Sequence, residues 1–194
     1  MCVSLPELIL ASASPYRQEL LQRLQIPFRV ETSAIDETPL PDEAPEALVC
    51  RLAEAKAQAV AHRNPQAVVI GADQMAVCGT RMLGKPGNAE RAVEQLGWMQ
   101  GQAVEFLNGI AIAAASGTEI FLVPYRIVLR TLTSIEIERY VARDQPLDCA
   151  GSFRSEGLGI SLVKRMEGED PHALMGLPLI TLCRGLRKLG YPLP

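Results

Sequence analysis

Apolar positions along the chain fall into short runs separated by stripes of helical period. Glu7 to Ala11 is a brief apolar run closed by Ser and Pro, the pattern of a buried strand ending in a turn. Ser14 then offers a helix cap and Pro15 suits the first helical position. Leu20, Leu21 and Leu24 form a helical stripe that Pro27 stops. Phe28 to Thr32 alternates like a strand, and Ser33 to Pro45, with Pro39, Pro41 and several acids, reads as an exposed loop. An Ala-rich helix over about 46–63 leads into Ala67-Val-Val-Ile-Gly71, a β-branched run expected to end at Gly71.

The order β-α-β-α-β favours an α/β sheet flanked by helices. Met75 to Cys78 and Arg81 to Leu83, joined by Gly79-Thr80, predict a small hairpin, and residues 89 to 98 a helix. Two long apolar runs, about 103–115 and 119–129, predict an antiparallel strand pair. Thr133 or Ser134 would cap a helix reaching about Ala142. A Gly-rich segment, Ala150 to Gly159, a short strand and a helix around Leu179 to Leu189 complete the chain. No repeat, linker or break in composition divides it, so residues 1–194 are expected to form a single domain.

Composition narrows the function. The 194 residues are 48% hydrophobic and carry 19 basic against 22 acidic side chains, a net charge of −3. A core of normal size can be buried. A protein coating nucleic acid through a general positive field is excluded, because such binding needs many phosphate-neutralising cations. The longest stretches without a charged residue, 106 to 118 and 171 to 183, fall short of the roughly 20 apolar residues of a membrane span. The first basic residue, Arg17, follows Glu7, so no positive leader region is seen, and a cytoplasmic protein is expected. The five cysteines (Cys2, Cys50, Cys78, Cys149, Cys183) are scattered without a C-x-x-C pair, as for reduced thiols filling small apolar spaces. His62 and His172 lie too far apart in sequence to suggest a His-rich zinc site.

Candidate chemistry gathers at chain turns. Ser12-x-Ser14-Pro15-Tyr16-Arg17 lies between a strand and a helix start, where unpaired backbone N–H groups attract anions. A capping box would place Glu or Gln where Arg17 stands, and a cation there is best explained by a bound anion. Val49, Ala53, Lys56 and Val60 share one helix face, so Lys56 occupies an apolar stripe, either snorkelling from its edge or reaching a ligand. Lys85, in the Gly84-Lys85-Pro86 turn, could converge with Arg17 and Lys56 on one polyphosphate, although nothing matches a P-loop. Asp73, read as lying just past its strand, and Asp36-Glu37 supply carboxylates for Mg²⁺ or Mn²⁺. Asp73 could hold the metal or accept a proton from attacking water. Together these residues suggest phosphoanhydride hydrolysis.

On these residues the sequence resembles the Maf family of nucleoside triphosphate pyrophosphatases. The shared segments are Leu8 to Arg17, Asp36-Glu37-Thr38, Ala53 to Lys56, Gly71 to Gln74, Gly84-Lys-Pro86, Ala150 to Gly157 and Gly176-Leu-Pro178. The resemblance implies a mixed twisted α/β sheet with flanking helices and two lobes around a cleft, related to the inosine triphosphatase type. It implies divalent-metal-dependent hydrolysis of a small-molecule nucleoside triphosphate to the monophosphate and pyrophosphate, without nucleic-acid or membrane partners, and it allows a homodimer. By motif, Ser12, Arg17, Lys56 and Lys85 correspond to phosphate-binding residues, Glu37 to a metal ligand, and Asp73 to the proton acceptor or a further metal ligand. Tyr16, Gln74 and Glu156 match three selectivity positions and resemble the 7-methyl-GTP subgroup, whereas the dTTP and UTP subgroup carries Arg, Thr and Gln. A cationic methylated purine suits an aromatic face and a carboxylate accepting from its Watson–Crick donors. Two departures from the family stand out. Tyr16 replaces the usual Trp, and Asn108 precedes Gly109 where Thr is common, a change expected to alter the cleft wall. The competing expectations are a dTTP/UTP pyrophosphatase and a nucleotide-binding regulator of cell division that has lost turnover.

Overall fold

A computed structural model describes residues 5–194. The first apolar runs form β1 (Leu8–Leu10) and β2 (Phe28–Val30), joined through α1 (Pro15–Gln22). Ser14 caps α1, accepting from the Arg17 N–H, with Pro15 at the first turn as the sequence predicts. After the 33–44 loop come α2 (Pro45–Ala61), β3 (Val68–Cys78) and β4 (Arg81–Leu83). They are followed by α3 (Ala89–Met99), β5 (Ala103–Ala114) and β6 (Gly117–Leu129). Thr133 closes a capping box with Glu136 at the start of α4 (Ser134–Asp144). The Gly-rich segment forms short 3-10 turns before β7 (Val163–Glu167), and α5 (Leu179–Lys188) ends the regular structure.

The mixed sheet has seven strands in the order β2-β1-β3-β5-β6-β7, with β4 pairing on β3. The β2-β1-β3 part is parallel and the remaining pairings are antiparallel. Alternation along the strands sorts side chains between two layers. Leu8, Leu10, Val68 and Ile70 pack with α1 and α5, whereas Ile9, Val69 and Ala111 pack under α2. A separate core, including Ala76, Leu96, Phe106, Tyr125, Tyr140 and Phe153, is closed by α3, α4 and the 3-10 segment. Strands β3, β5 and β6 run through both ends, so two lobes share one sheet.

One expectation is corrected by this arrangement. The strand predicted to end at Gly71 and the first strand of the predicted hairpin are a single strand, β3. Gly71 and Asp73 read as punctuation, yet each serves the packing of α2. A Cβ on Gly71 would lie 2.1 Å from the Ala53 carbonyl oxygen, and one on Gly109 2.0 Å from that of Val49. Glycine at these strand positions lets the α2 backbone rest directly on the sheet. Asp73 pairs with Gly109 in mid-ladder and is not beyond its strand. It does lie past the parallel part, since β1 ends opposite Ile70 and the chain then turns through Ser12 into α1.

Candidate active site

Between the lobes opens a cleft of about 510 Å³. All nine residues singled out from the sequence line it: Ser12, Tyr16, Arg17, Glu37, Lys56, Asp73, Gln74, Lys85 and Glu156. They come from six separate stretches of chain, and the fold places their charges unequally.

Val49, Ala53 and Val60 are fully buried on the face of α2 that carries Lys56, as the spacing predicts. Lys56 is itself 8% exposed and does not snorkel outward. Its Nζ donates to Asp73 Oδ1 at 2.7 Å and lies 2.8 Å from Glu37 Oε1. Odd-numbered β3 residues face α2, so Asp73 meets Lys56 where Gly71 and Gly109 admit the helix. Glu37 arrives from the opposite side on the exposed loop. Its position depends on Arg51, which donates to Glu43 Oε1 and Oε2 at 2.6 and 2.7 Å and to the Thr38 carbonyl at 3.2 Å. Those bonds hold the Glu43 carboxyl down to about 2. Asp36, itself exposed, accepts from the Thr38 N–H at 2.9 Å and so shapes the loop.

Arg17 leaves its helix end for the cleft. Its Nε donates to the Gly176 carbonyl at 2.9 Å and one terminal N–H reaches Ser12 Oγ at 3.3 Å. Burial pulls the guanidinium below its usual range, while the fields of Asp73 and Glu37 oppose that shift. Gly176, in the shared Gly176-Leu-Pro178 segment, gains its role as the acceptor for Arg17 only from the fold. It sits at φ +87°, a conformation that favours glycine, and an added Cβ would crowd the Arg17 guanidinium at 3.3 Å. Ser12 is buried and also accepts from the Ser14 N–H at 3.2 Å. Lys85 is exposed on the other lobe, with no ion pair among the described residues. Gly84 beside it accepts from Gly151 N–H and Gln95 Nε2, which pins the turn.

The far end of the cleft is built differently. Tyr16 O–H donates to Asp148 Oδ1 at 3.2 Å, and burial beside Cys149 and Asp148 pushes its pKa up. Glu156 accepts from Arg154 Nε at 3.3 Å and from Ser155 Oγ at 3.2 Å. Gln74, on the opposite sheet face from Asp73, spends its amide donor on the Ala173 and Leu174 carbonyls at 2.7 and 3.3 Å. It braces the 3-10 turn that presents Gly176. Asp148, Cys149 and Arg154 went unpredicted as site residues, because each is unremarkable in composition and gains its place from the chain's return past α4. Cys149 therefore belongs to the cleft wall and is not an apolar filler, and burial pushes its thiol up to about 12. Among the described cysteines Cys78 is buried and all four are free, while Cys2 lies outside the described residues. Asn108 is also corrected. It is fully buried behind the cleft, its amide donating to the Phe106 and Val123 carbonyls, and it does not form the wall.

Two carboxylates converging on one point are hard oxygen donors. No third His, Cys, Asp or Glu joins them among the described residues. Such a set fits Mg²⁺ or Mn²⁺, which take one or two carboxylates and fill their shell with water and phosphate oxygens. It does not make a full protein cage. The cations Arg17, Lys56 and Lys85 around the same space suit an anion with several charged oxygens.

The family model described as Maf-like protein matches residues 7–189. A 7-methyl-GTP pyrophosphatase of Alkalilimnicola ehrlichii is 55% identical over 190 residues, covering 97% of this chain and 96% of that protein. Proteins of the same name from Nitrosococcus oceani and Pseudomonas aeruginosa are 52% and 48% identical. They cover 96% and 98% of this chain, and 95% and 100% of their own. Among the described residues no helix is long and apolar enough to cross a membrane.

Proposed function

The chain belongs to the Maf family, and from that premise we propose that it hydrolyses 7-methyl-GTP to 7-methyl-GMP and diphosphate. The observation that carries the reading is the contrast within one cleft. A buried Lys56 held by Asp73 and Glu37 stands beside Arg17 at one end, and an aromatic face and a carboxylate, Tyr16 and Glu156, stand at the other.

The triphosphate lies against Arg17, Lys56, Lys85 and the Ser12 hydroxyl, whose donors are placed before the reaction begins and stabilise charge as it builds on the phosphate oxygens. A water oxygen bonds to phosphorus as the α–β anhydride breaks and diphosphate leaves. Asp73 Oδ1 is engaged by Lys56, whereas Oδ2 has no protein partner among the described residues and is the atom that takes the water's proton. Glu37 and Asp73 would hold a divalent cation, which when bound would neutralise charge at the phosphate oxygens. Tyr16 stacks on the cationic base and Glu156 accepts from its N–H donors.

Diphosphate release across a panel of 7-methyl-GTP, GTP, dTTP and UTP, with Mg²⁺ or Mn²⁺ and with chelator, tests the reading. Highest kcat/KM for 7-methyl-GTP, loss in chelator and recovery with either metal are expected. Preference for dTTP and UTP overturns the base assignment, and no release from any triphosphate leaves a nucleotide-binding protein without turnover.

A further inference from the structure

Beside the base end of the cleft stands a planar cation belonging to the protein, in contact with two of the residues that line it. Arg154 Nε donates to Glu156 Oε1 at 3.3 Å, and the guanidinium carbon lies 5.9 Å from the centre of the Tyr16 ring. Carboxylate and aromatic face are the two groups assigned above to the cationic base. Behind them, Asp144 Oδ1 on α4 lies 3.8 Å from an Arg154 terminal nitrogen and forms a second anionic station.

The backbone here is held without help from the Arg154 side chain. Arg154 N–H donates to Tyr140 Oη at 3.0 Å, Gly157 and Gly159 donate to the Arg154 carbonyl, and Leu158 N–H donates to Asp144 Oδ2 at 3.0 Å. The side chain remains 37% exposed and adds to these backbone bonds its ion pairs with Glu156 and Asp144. It reaches Glu156 and Asp144 at once, so a shift toward Asp144 would leave Glu156 with its bond from Ser155 Oγ.

Resting on the proposed function, we propose that Arg154 is an internal competitor for the base subsite. Its guanidinium occupies Glu156 and the Tyr16 face when the nucleotide is absent, yields toward Asp144 when the base enters, and returns to help release 7-methyl-GMP. A guanidinium and a 7-methylguanine share the necessary chemistry: each is flat and positively charged, stacks on an aromatic ring and donates paired N–H groups to a carboxylate. The competition involves a partly exposed pair, so its effect on affinity is modest.

Calorimetric titration of the full chain with 7-methyl-GMP, and with tripolyphosphate as a probe lacking a base, tests the competition. Arg154→Gln is expected to tighten 7-methyl-GMP binding about two- to fivefold, the scale of an exposed ion pair, with tripolyphosphate unchanged. Arg154→Lys, which keeps the charge, should bind 7-methyl-GMP closer to wild type. In a Glu156→Gln background the Arg154→Gln gain should vanish, because the contested group is gone. Weaker or unchanged 7-methyl-GMP binding by Arg154→Gln overturns the inference and makes Arg154 a brace for Glu156 or a bystander. If Glu156→Gln alone leaves 7-methyl-GMP affinity intact, the base assignment itself fails. If it weakens binding while Arg154→Gln brings no gain, only the competition fails.

Discussion

The two ends of the cleft handle charge in opposite ways. At the α2 end, Lys56 and Asp73 are each 8% exposed and locked together by a helix resting on glycines. At the other end, Arg154 and Glu156 are 37% and 22% exposed at their side chains and meet in the turn between two 3-10 segments. A buried charge is costly unless paired, so the first end is fixed in geometry before any ligand arrives. An exposed pair is worth little and can be exchanged. Phosphate chemistry needs donors that do not reorganise, whereas base recognition needs a site that can open and refill.

The sharpest break of that contrast is Asp73→Asn, which removes the proposed proton acceptor and one of the two candidate metal ligands. Diphosphate release should fall by about 10²- to 10⁴-fold, and a variant that keeps near wild-type turnover in purified form would remove Asp73 from the chemistry. Gly109→Ala attacks the same end through packing. A Cβ 2.0 Å from the Val49 carbonyl must push α2 off the sheet, at a cost of about 3 kcal/mol. Thermal or urea unfolding should show that loss, together with reduced turnover as Lys56 is lifted from Asp73. Unchanged stability would mean that α2 is not held as closely as these contacts require.

At the exchangeable end the effects should be smaller and confined to the base. Glu156→Gln should raise KM for 7-methyl-GTP about tenfold, the loss expected for a hydrogen bond to a charged group, with kcat little changed. An equal loss on a triphosphate lacking a purine would show that Glu156 acts on phosphate.

The smallest effect concerns the loop that brings Glu37 in. Glu43 titrates at about 2 in the fold against an ordinary 4.5, because Arg51 and the Leu40 N–H bind its charged form. Its tie contributes fully above pH 4.5 and is lost as pH falls from there through about 2. Arg51→Ala should therefore reduce hydrogen-exchange protection at Leu40, and the gap from wild type should narrow as pH drops below 4.5. A gap that stays constant down to pH 2.5 would make the anchor non-ionic.

Local patterns carried most of the elements. The Ser14-Pro15 cap, a cap at Thr133 or Ser134, the antiparallel β5-β6 pair and the buried face of α2 were all legible, because each depends on residues near one another in sequence. The continuity of β3 was not, since Gly71 and Asp73 resemble a strand end until α2 is placed over them. A glycine beside long apolar runs, as at Gly109, is the one available hint of such close approach. Asn108 next to it pointed to the cleft wall, yet alternation turns it into the interior behind Gln74.

By itself the sequence determined the kinds of group available: three candidate cations, each at a turn or within an apolar stripe, with carboxylates and an aromatic set at recognisable motif positions. Tertiary structure alone decided which of them share charge. Lys56 could have reached solvent, and it is buried on Asp73 because two glycines on neighbouring strands admit the helix that carries it. Arg154 could have been any surface arginine, and it meets Glu156 and Tyr16 because α4 returns the chain across the cleft. Charge pairing depends on distance and burial, and those belong to the packed chain, not to positions along it.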